Sequence, residues 1–546
     1  MGINKLKELG VMIDCSRNAV VNLSALKKFI KLCADFKYDY VGLYTEDTIE
    51  VEGEPYFGYQ RGRLSSEEIR EADEYAHELG VELRPYIQTL AHINQIVDYS
   101  DYINCIDLND ILLVDDKRTE QLLDNILRTI SKAYSSKIVN IGMDEAHMLG
   151  LGKYLELHGY QDRVEIMLKH LEKVVSLCKK YGLKPQMWSD MFFRLLSGGE
   201  YGAEGGKEAE KLSAKLSEKI KIPEGLELVY WDYYSTDENH FKNIIAQHKA
   251  ITSDLSFAGG AWRWMGFTPY NSYSILSTRA SVSACLQMDI DSYVMTLWGD
   301  DGTECSMYAV LPALYEAALC GGRIDKENAT ESFKSLTGYT MEEFMLLDIA
   351  DPGCMDEKKN NLSKILLFND PLLGIFDSLV PENAREYFSE AAQKLKDVIK
   401  NENRKYDYLF EAQQRLCDVL ACKADLGIRM RDAYKRRDTD KLAAIRDEIP
   451  VIVERLDAFY RSFREQWLKE NKSFGFEVQT IRIGGLKQRL LDIEQLLDAY
   501  LGGLVKAIEE LEGEALPVGY ALHGASDAEP EYNRYEKLVT TARLTW

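Results

Sequence analysis

Eight short, near-continuous apolar runs recur along residues 1–323, each followed by a helix-like segment, and this alternation constrains the fold more than any other feature. The runs are Val11–Cys15, Tyr40–Tyr44, Val81–Ile87, Ile138–Gly142, Lys184–Trp188, Glu227–Trp231, Ser256–Gly260 and Ser292–Trp298. Rich in Val, Ile and aromatics and lacking polar alternation, they suit parallel strands buried on both faces. Amphipathic stretches between them, among them Leu23–Phe36, Ser66–Leu79, Arg163–Tyr181 and Ser272–Met288, supply the helices. Ser65-Ser66-Glu67-Glu68 reads as a helix start, with a serine cap and early acids. Eight such units predict an α/β fold, a (β/α)8 TIM barrel over residues 1–323, ahead of the competing open doubly wound sheet.

After Arg323 the texture becomes helix-rich, and a mostly α-helical C-terminal domain is expected over residues 324–546. Helical segments are Pro381–Asn401, Tyr406–Tyr434, Lys441–Lys469 and Gly485–Glu512. The last aligns Leu490, Ile493, Leu497, Tyr500, Leu504, Ile508 and Leu511 at spacings of three and four. Such a stripe is a bundle core or the seam of a homodimer formed through this domain. The Gly- and aromatic-rich run from Asn471 to Gly485 reads as a structured connection, and the tail from Glu512 to Trp546, with Pro517, Gly519, Gly524 and Pro530, as loop.

Charge narrows the partners. With 66 Lys+Arg against 89 Asp+Glu the net charge is −23, which argues against nucleic-acid or anionic-membrane partners. No stretch approaches the run of about 20 apolar residues that a membrane helix needs. The N-terminus shows no signal-peptide apolar run, and Leu6 stands where a myristoylation motif needs Ser or Thr. Ten scattered cysteines without a C-x-x-C pair, Cys354 among them, read as reduced core thiols, and a cytoplasmic location is expected.

In a (β/α)8 barrel the chemistry sits where strands end at the C-terminal face. The exits read Asp14-Cys15-Ser16-Arg17, Tyr44-Thr45-Glu46-Asp47, Gln88-Thr89-Leu90-Ala91-His92 and Gly142-Met143-Asp144-Glu145-Ala146-His147. The remaining four are Trp188-Ser189-Asp190, Trp231-Asp232-Tyr233-Tyr234, Trp262-Arg263-Trp264 and Trp298-Gly299-Asp300-Asp301. Five of the 7 tryptophans therefore lie at the last four exits. A flat indole suits the C–H face of a sugar ring and carboxylates accept from hydroxyls, so the pattern reads as a carbohydrate pocket. Singly, each residue has a plainer reading: a rim Trp packs, Arg17 holds a carboxylate, and His92 and His147 are satisfied groups behind the site. No cofactor or metal is expected, because zinc wants three protein ligands and no second His lies at helical spacing from His147.

Asp144-Glu145 is the sharpest feature. Adjacent strand residues face opposite ways, so both carboxylates can serve one pocket only where the strand ends and the chain turns. Most glycosidases draw their two carboxyls from different strands. An adjacent pair suits a substrate whose own 2-acetamido oxygen attacks the anomeric carbon, one carboxylate orienting the acetamide and its neighbour protonating the leaving oxygen.

Asn140-Ile141-Gly142-Met143-Asp144-Glu145-Ala146 resembles the signature of glycoside hydrolase family 20, the β-N-acetylhexosaminidases. Arg61-Gly62-Arg63-Leu64-Ser65-Ser66-Glu67-Glu68-Ile69 with Tyr75-Ala76-His77-Glu78-Leu79-Gly80-Val81 resembles that family's approach to strand 3, and Trp298-Gly299-Asp300 its last-strand Trp-x-acid. The barrel-first layout resembles a bacterial subgroup with the catalytic domain at the N-terminus. The resemblance implies an exo-acting, retaining enzyme releasing terminal GlcNAc or GalNAc from an oligosaccharide or glycoconjugate through an oxazolinium intermediate. It implies Glu145 as acid/base, Asp144 as the acetamide-orienting carboxylate and Tyr233, ahead of Tyr234, as the tyrosine that hydrogen-bonds the acetamide. Arg17 would clamp hydroxyls, Trp188, Trp231, Trp262, Trp264 and Trp298 would wall the sugar, Asp300 would reach the 4- or 6-hydroxyl, and His92 would be a further substrate-binding residue. The chain departs from the family at strand 3: of Pro85-Tyr86-Ile87-Gln88-Thr89-Leu90-Ala91-His92 only Pro85, Ile87 and His92 match, and charges usual there are absent. Asp300 replaces the common Glu, and Trp262-Arg263-Trp264 stands where the acetamide tyrosine is usual. A retaining barrel glycosidase without 2-acetamido dependence and a non-catalytic glycan-binding protein are the alternatives.

Overall fold

The computed structural model describes residues 5–353, 361–399, 403–516 and 534–542. Eight strands, β1 (Glu8–Asp14), β2 (Tyr40–Tyr44), β3 (Glu82–Tyr86), β4 (Ile138–Asn140), β5 (Lys184–Trp188), β6 (Glu227–Trp231), β7 (Leu255–Gly260) and β8 (Ser292–Leu297), close a barrel. They run in the order β1-β8-β7-β6-β5-β4-β3-β2, all parallel. Closure is made by β1, which pairs Glu8–Ile13 with Ser292–Leu297 on one side and Gly10–Asp14 with Tyr40–Tyr44 on the other. Residues pointing inward include Met12, Tyr44, Tyr86, Trp188, Val229, Ala258 and Val294, a packed core rather than a pore.

The helices begin where side chains satisfy their first N–H groups. Asn22 accepts from Ala25, Asp116 from Arg118 and Thr119, and Asp162 from Val164. Ser65 and Glu68 form a reciprocal capping box at the start of Ser66–Glu78, where the sequence placed a helix start. The connection between β3 and β4 also carries a small antiparallel pair, Ile106–Leu108 with Ile111–Leu112, whose strands are too short to leave a periodic signal.

The chain divides into two compact units. The first comprises Met1–Ala261, Ser274–Trp298 and Ala313–Ala329; the second comprises Trp262–Tyr273, Gly299–Pro312 and Thr330–Trp546. The second is built on helices Ala384–Val398, Asp407–Lys423, Leu426–Lys435, Thr439–Glu470 and Phe476–Leu501. Tyr406–Tyr434 is thus two helices rather than one.

The run from Asn471 to Gly485 is not a connection: a helix starts at Phe476 and passes through Gly484 and Gly485. Burial of Phe476, Ile483, Leu486, Leu490, Ile493 and Leu497 along one side outweighs the helix penalty of about 1 kcal/mol that each glycine carries. The apolar stripe ends with this helix at Leu501, and Leu504 is 86% exposed after two glycines. Ile508 and Leu511 are buried again in a separate turn. Of the tail, residues 517–533 and Trp546 lie outside the described residues, as does Cys354; Tyr535–Leu538 is one helical turn. The nine described cysteines are free thiols, and no described helix is long and apolar enough to cross a membrane.

Candidate active site

The centre of the candidate site is the turn after β4. Ile141 still donates to the Gln186 carbonyl, and then the chain leaves the sheet through left-handed backbone at Gly142, Met143 and Glu145 (φ 72°, 73° and 52°). This break in the strand alternation lets two successive carboxylates part in environment. Asp144 is buried, whereas the Glu145 side chain is 40% exposed.

Asp144 is held from both sides. Gln88 Nε2 donates to its Oδ1 (2.7 Å) while Gln88 Oε1 accepts the Met143 N–H (3.1 Å), so one amide fastens the turn and the carboxylate together. His92 Nε2 lies 3.2 Å from Asp144 Oδ2 and 3.6 Å from Glu145 Oε2. Burial opposes ionisation of Asp144, but the His92 charge and the Gln88 hydrogen bond outweigh it and hold the carboxyl below the usual aspartate range. Burial likewise disfavours the His92 cation, yet Asp144 prevails and pushes it up to about 10. The pair is therefore an imidazolium and a carboxylate at neutral pH.

From Asp144 the contacts run in two directions. Gln88 Nε2 also donates to Tyr44 Oη (2.8 Å), Tyr44 donates to Glu46 Oε1 (3.0 Å), and Arg17 Nε meets the same Glu46 oxygen at 3.2 Å. Burial raises Glu46, with Arg17 and His92 opposing. On the other side Tyr44 meets Trp298 edge-on (4.8 Å, 80°), Trp298 Nε1 donates to Tyr233 Oη (2.9 Å), and Tyr233 stacks on Trp231 (5.5 Å, 23°). Trp231 Nε1 in turn reaches Asp190 Oδ1 at 3.4 Å, and Asp190 Oδ2 accepts the Glu145 N–H at 3.1 Å. Trp188 closes the floor, its ring 6.1 Å from Trp298 and 6.0 Å from Tyr86.

Arg17, His92, Asp144, Glu145, Trp188, Trp231, Tyr233 and Trp298 are thus joined by one circuit of contacts in the first unit. Trp262, Trp264 and Asp300 fall in the second. There the two indoles pack together (4.7 Å, 31°), both buried, and Asp300 is exposed.

The circuit also contains residues that no sequence motif singles out. Glu46 and Asp190 stood at strand exits but carried no motif, and Gln88 read only as a missing charge. Asp190 is fully buried; burial and repulsion from Asp144 and Glu145 push it up to about 7, against Arg194.

Potential ligand atoms of His92, Asp144 and Glu145 lie within 4.8 Å of one another. A metal there would have to displace the imidazole proton that Asp144 stabilises, so the trio fits an ion pair better than a donor set. What the arrangement offers is one ionised, oriented carboxylate and one solvent-facing carboxyl beside an aromatic wall.

Comparison with known proteins points the same way from the other end of the chain. Residues 342–528 match the family described as the Glycoside Hydrolase 20C C-terminal domain. The sequence matches none of the curated proteins. Among solved structures, a family 20 exo β-N-acetylglucosaminidase from Vibrio harveyi aligns with 14% identity and a TM-score of 0.45 over 63% of this chain and 58% of its own. The family 20 β-N-acetylhexosaminidase of Streptomyces coelicolor A3(2) aligns with 16% identity and a TM-score of 0.45 over 61% and 70%. This chain spans 58% of the Vibrio protein, and at such identities and scores the likeness assigns it nothing by itself.

Proposed function

We propose that the chain, whose residues 342–528 match the glycoside hydrolase 20C C-terminal domain, is a family 20 enzyme, an exo-acting, retaining β-N-acetylhexosaminidase working by substrate assistance. The observation that carries this reading is the division of labour at Asp144-Glu145: one carboxylate is buried and kept ionised by His92, its neighbour open to solvent. Asp144 then orients the 2-acetamido group and balances the charge that develops on its nitrogen. As the acetamide oxygen bonds to the anomeric carbon, the glycosidic C–O bond breaks and Glu145 gives its proton to the leaving oxygen. The oxazolinium formed is opened by water, Glu145 taking the water's proton, and the configuration is retained. Arg17, braced by Glu46, clamps ring hydroxyls. Trp188, Trp231 and Trp298 wall the sugar and Tyr233 meets the acetamide.

Glu145→Gln should abolish cleavage of a GlcNAc disaccharide, whose leaving group is poor, and spare activated aryl glycosides, which need little protonation. Asp144→Asn should impair both. Full disaccharide activity in Glu145→Gln, or equal turnover of a 2-hydroxy glucoside, refutes the reading.

A further inference from the structure

The turn that presents Glu145 is held partly by its own residues, His147 N–H donating to the Glu145 carbonyl (2.6 Å) and Gly142 N–H to Asn140 Oδ1 (2.8 Å), and partly from the strand that follows. Glu145 sits in left-handed backbone (φ 52°), a conformation that a residue with a side chain occupies only where its surroundings enforce it. Its N–H donates to Asp190 Oδ2 at 3.1 Å. Asp190 opens the helix Asp190–Ser197 immediately after β5, and its carboxylate is wholly buried and multiply bonded. Arg194 Nε donates to the same Oδ2 at 3.1 Å, and Trp231 Nε1 approaches Oδ1 at 3.4 Å. An aspartate in the first turn of a helix ordinarily faces that helix's own positive N-terminal end. Here the helix begins without a side-chain cap, and the carboxylate faces the β4 turn and the β6 indole.

We propose that Asp190 is a positioning residue: by accepting the Glu145 N–H it locks the main chain of the acid in the left-handed turn that aims its carboxyl at the leaving oxygen. Asp190 does not touch the reacting atoms; it acts through Glu145, and the Arg194 and Trp231 contacts keep its own two oxygens from rotating. The inference rests on Glu145 being the acid.

A residue that only aims the acid leaves a distinctive defect, confined to substrates whose leaving group needs a proton. Asp190→Ala is expected to lower kcat on a GlcNAc disaccharide by about a hundredfold, the scale of a misplaced catalytic group, with KM within about twofold. On a dinitrophenyl N-acetylglucosaminide the loss should stay within about threefold. Asp190→Asn, which keeps one acceptor oxygen, should fall between Asp190→Ala and the parent. Adding Asp190→Ala to Glu145→Gln should cost nothing further, because both act at one point. Equal losses on the two substrates, a multiplicative double variant, or full disaccharide activity in Asp190→Ala would overturn the proposal. If Asp190→Ala fails to fold, Asp190→Asn carries the same substrate comparison, and an unselective loss there is equally fatal. Should Glu145→Gln itself show no leaving-group selectivity, the reading of the acid fails and takes this inference with it; selective Glu145→Gln beside unselective Asp190→Ala sinks this inference alone.

Discussion

At the residue scale the site depends on a buried ion pair whose two members titrate in opposite directions. His92 is raised to about 10 in the fold and returns to about 6.5 when unfolded, so its stabilisation is complete below pH 6.5 and is lost as pH rises towards 10. Asp144 is lowered, so its share is present above the ordinary aspartate range and disappears in acid. His92→Gln should therefore flatten the decline in Tm that the parent shows between pH 7 and 10, measured as the difference between the two melting curves. The same variant should reduce kcat/KM at neutral pH by at least about tenfold, since Asp144 loses the charge that keeps it ionised. Neither Gln88 nor Asp190 could have been assigned these contacts from sequence. A glutamine at a strand end and an aspartate after Trp-Ser are common, and what distinguishes them is which turn faces them across the barrel mouth.

At the element scale the β4 turn is the demanding piece. A Cβ on Gly142 would lie 2.1 Å from Gln88 Oε1 and 2.7 Å from the Ile87 carbonyl, in backbone that already disfavours side chains. Gly142→Ala should cost more than the roughly 1–2 kcal/mol of left-handed strain alone, read from urea unfolding, and should lower kcat by displacing the amide that holds Asp144. By contrast, Ser65→Ala at the capping box should lose about 1 kcal/mol of stability and leave kcat unchanged. The strands were readable because burial on both faces leaves uninterrupted apolar runs. The helix from Phe476 was not, because its glycines argue locally against a helix and only packing outvotes them.

At the scale of the whole molecule, each unit has its own polar anchor. In the second, Lys364 is 1% exposed and bridges Asp301 (2.9 Å) and Glu304 (2.7 Å), with Arg482 on the same two acids. Lys364→Met removes one partner and leaves buried carboxylates undercompensated, so an unfolding loss of about 3–5 kcal/mol is expected, measured by denaturant titration. No periodicity marks such a cluster: Lys364 lies in an apolar helical segment, Leu362–Phe368, where a lysine reads as a solvent-facing residue. The order and burial of the strands, and hence which residues stand at the barrel's C-terminal face, follow from local hydrophobic pattern and chain connectivity, both of which are written in the sequence. The ionisation of Asp144, the clamp on Glu145 and the course of the last long helix depend on distances between residues far apart in the chain, and those distances come into being only when the barrel closes and the helices pack.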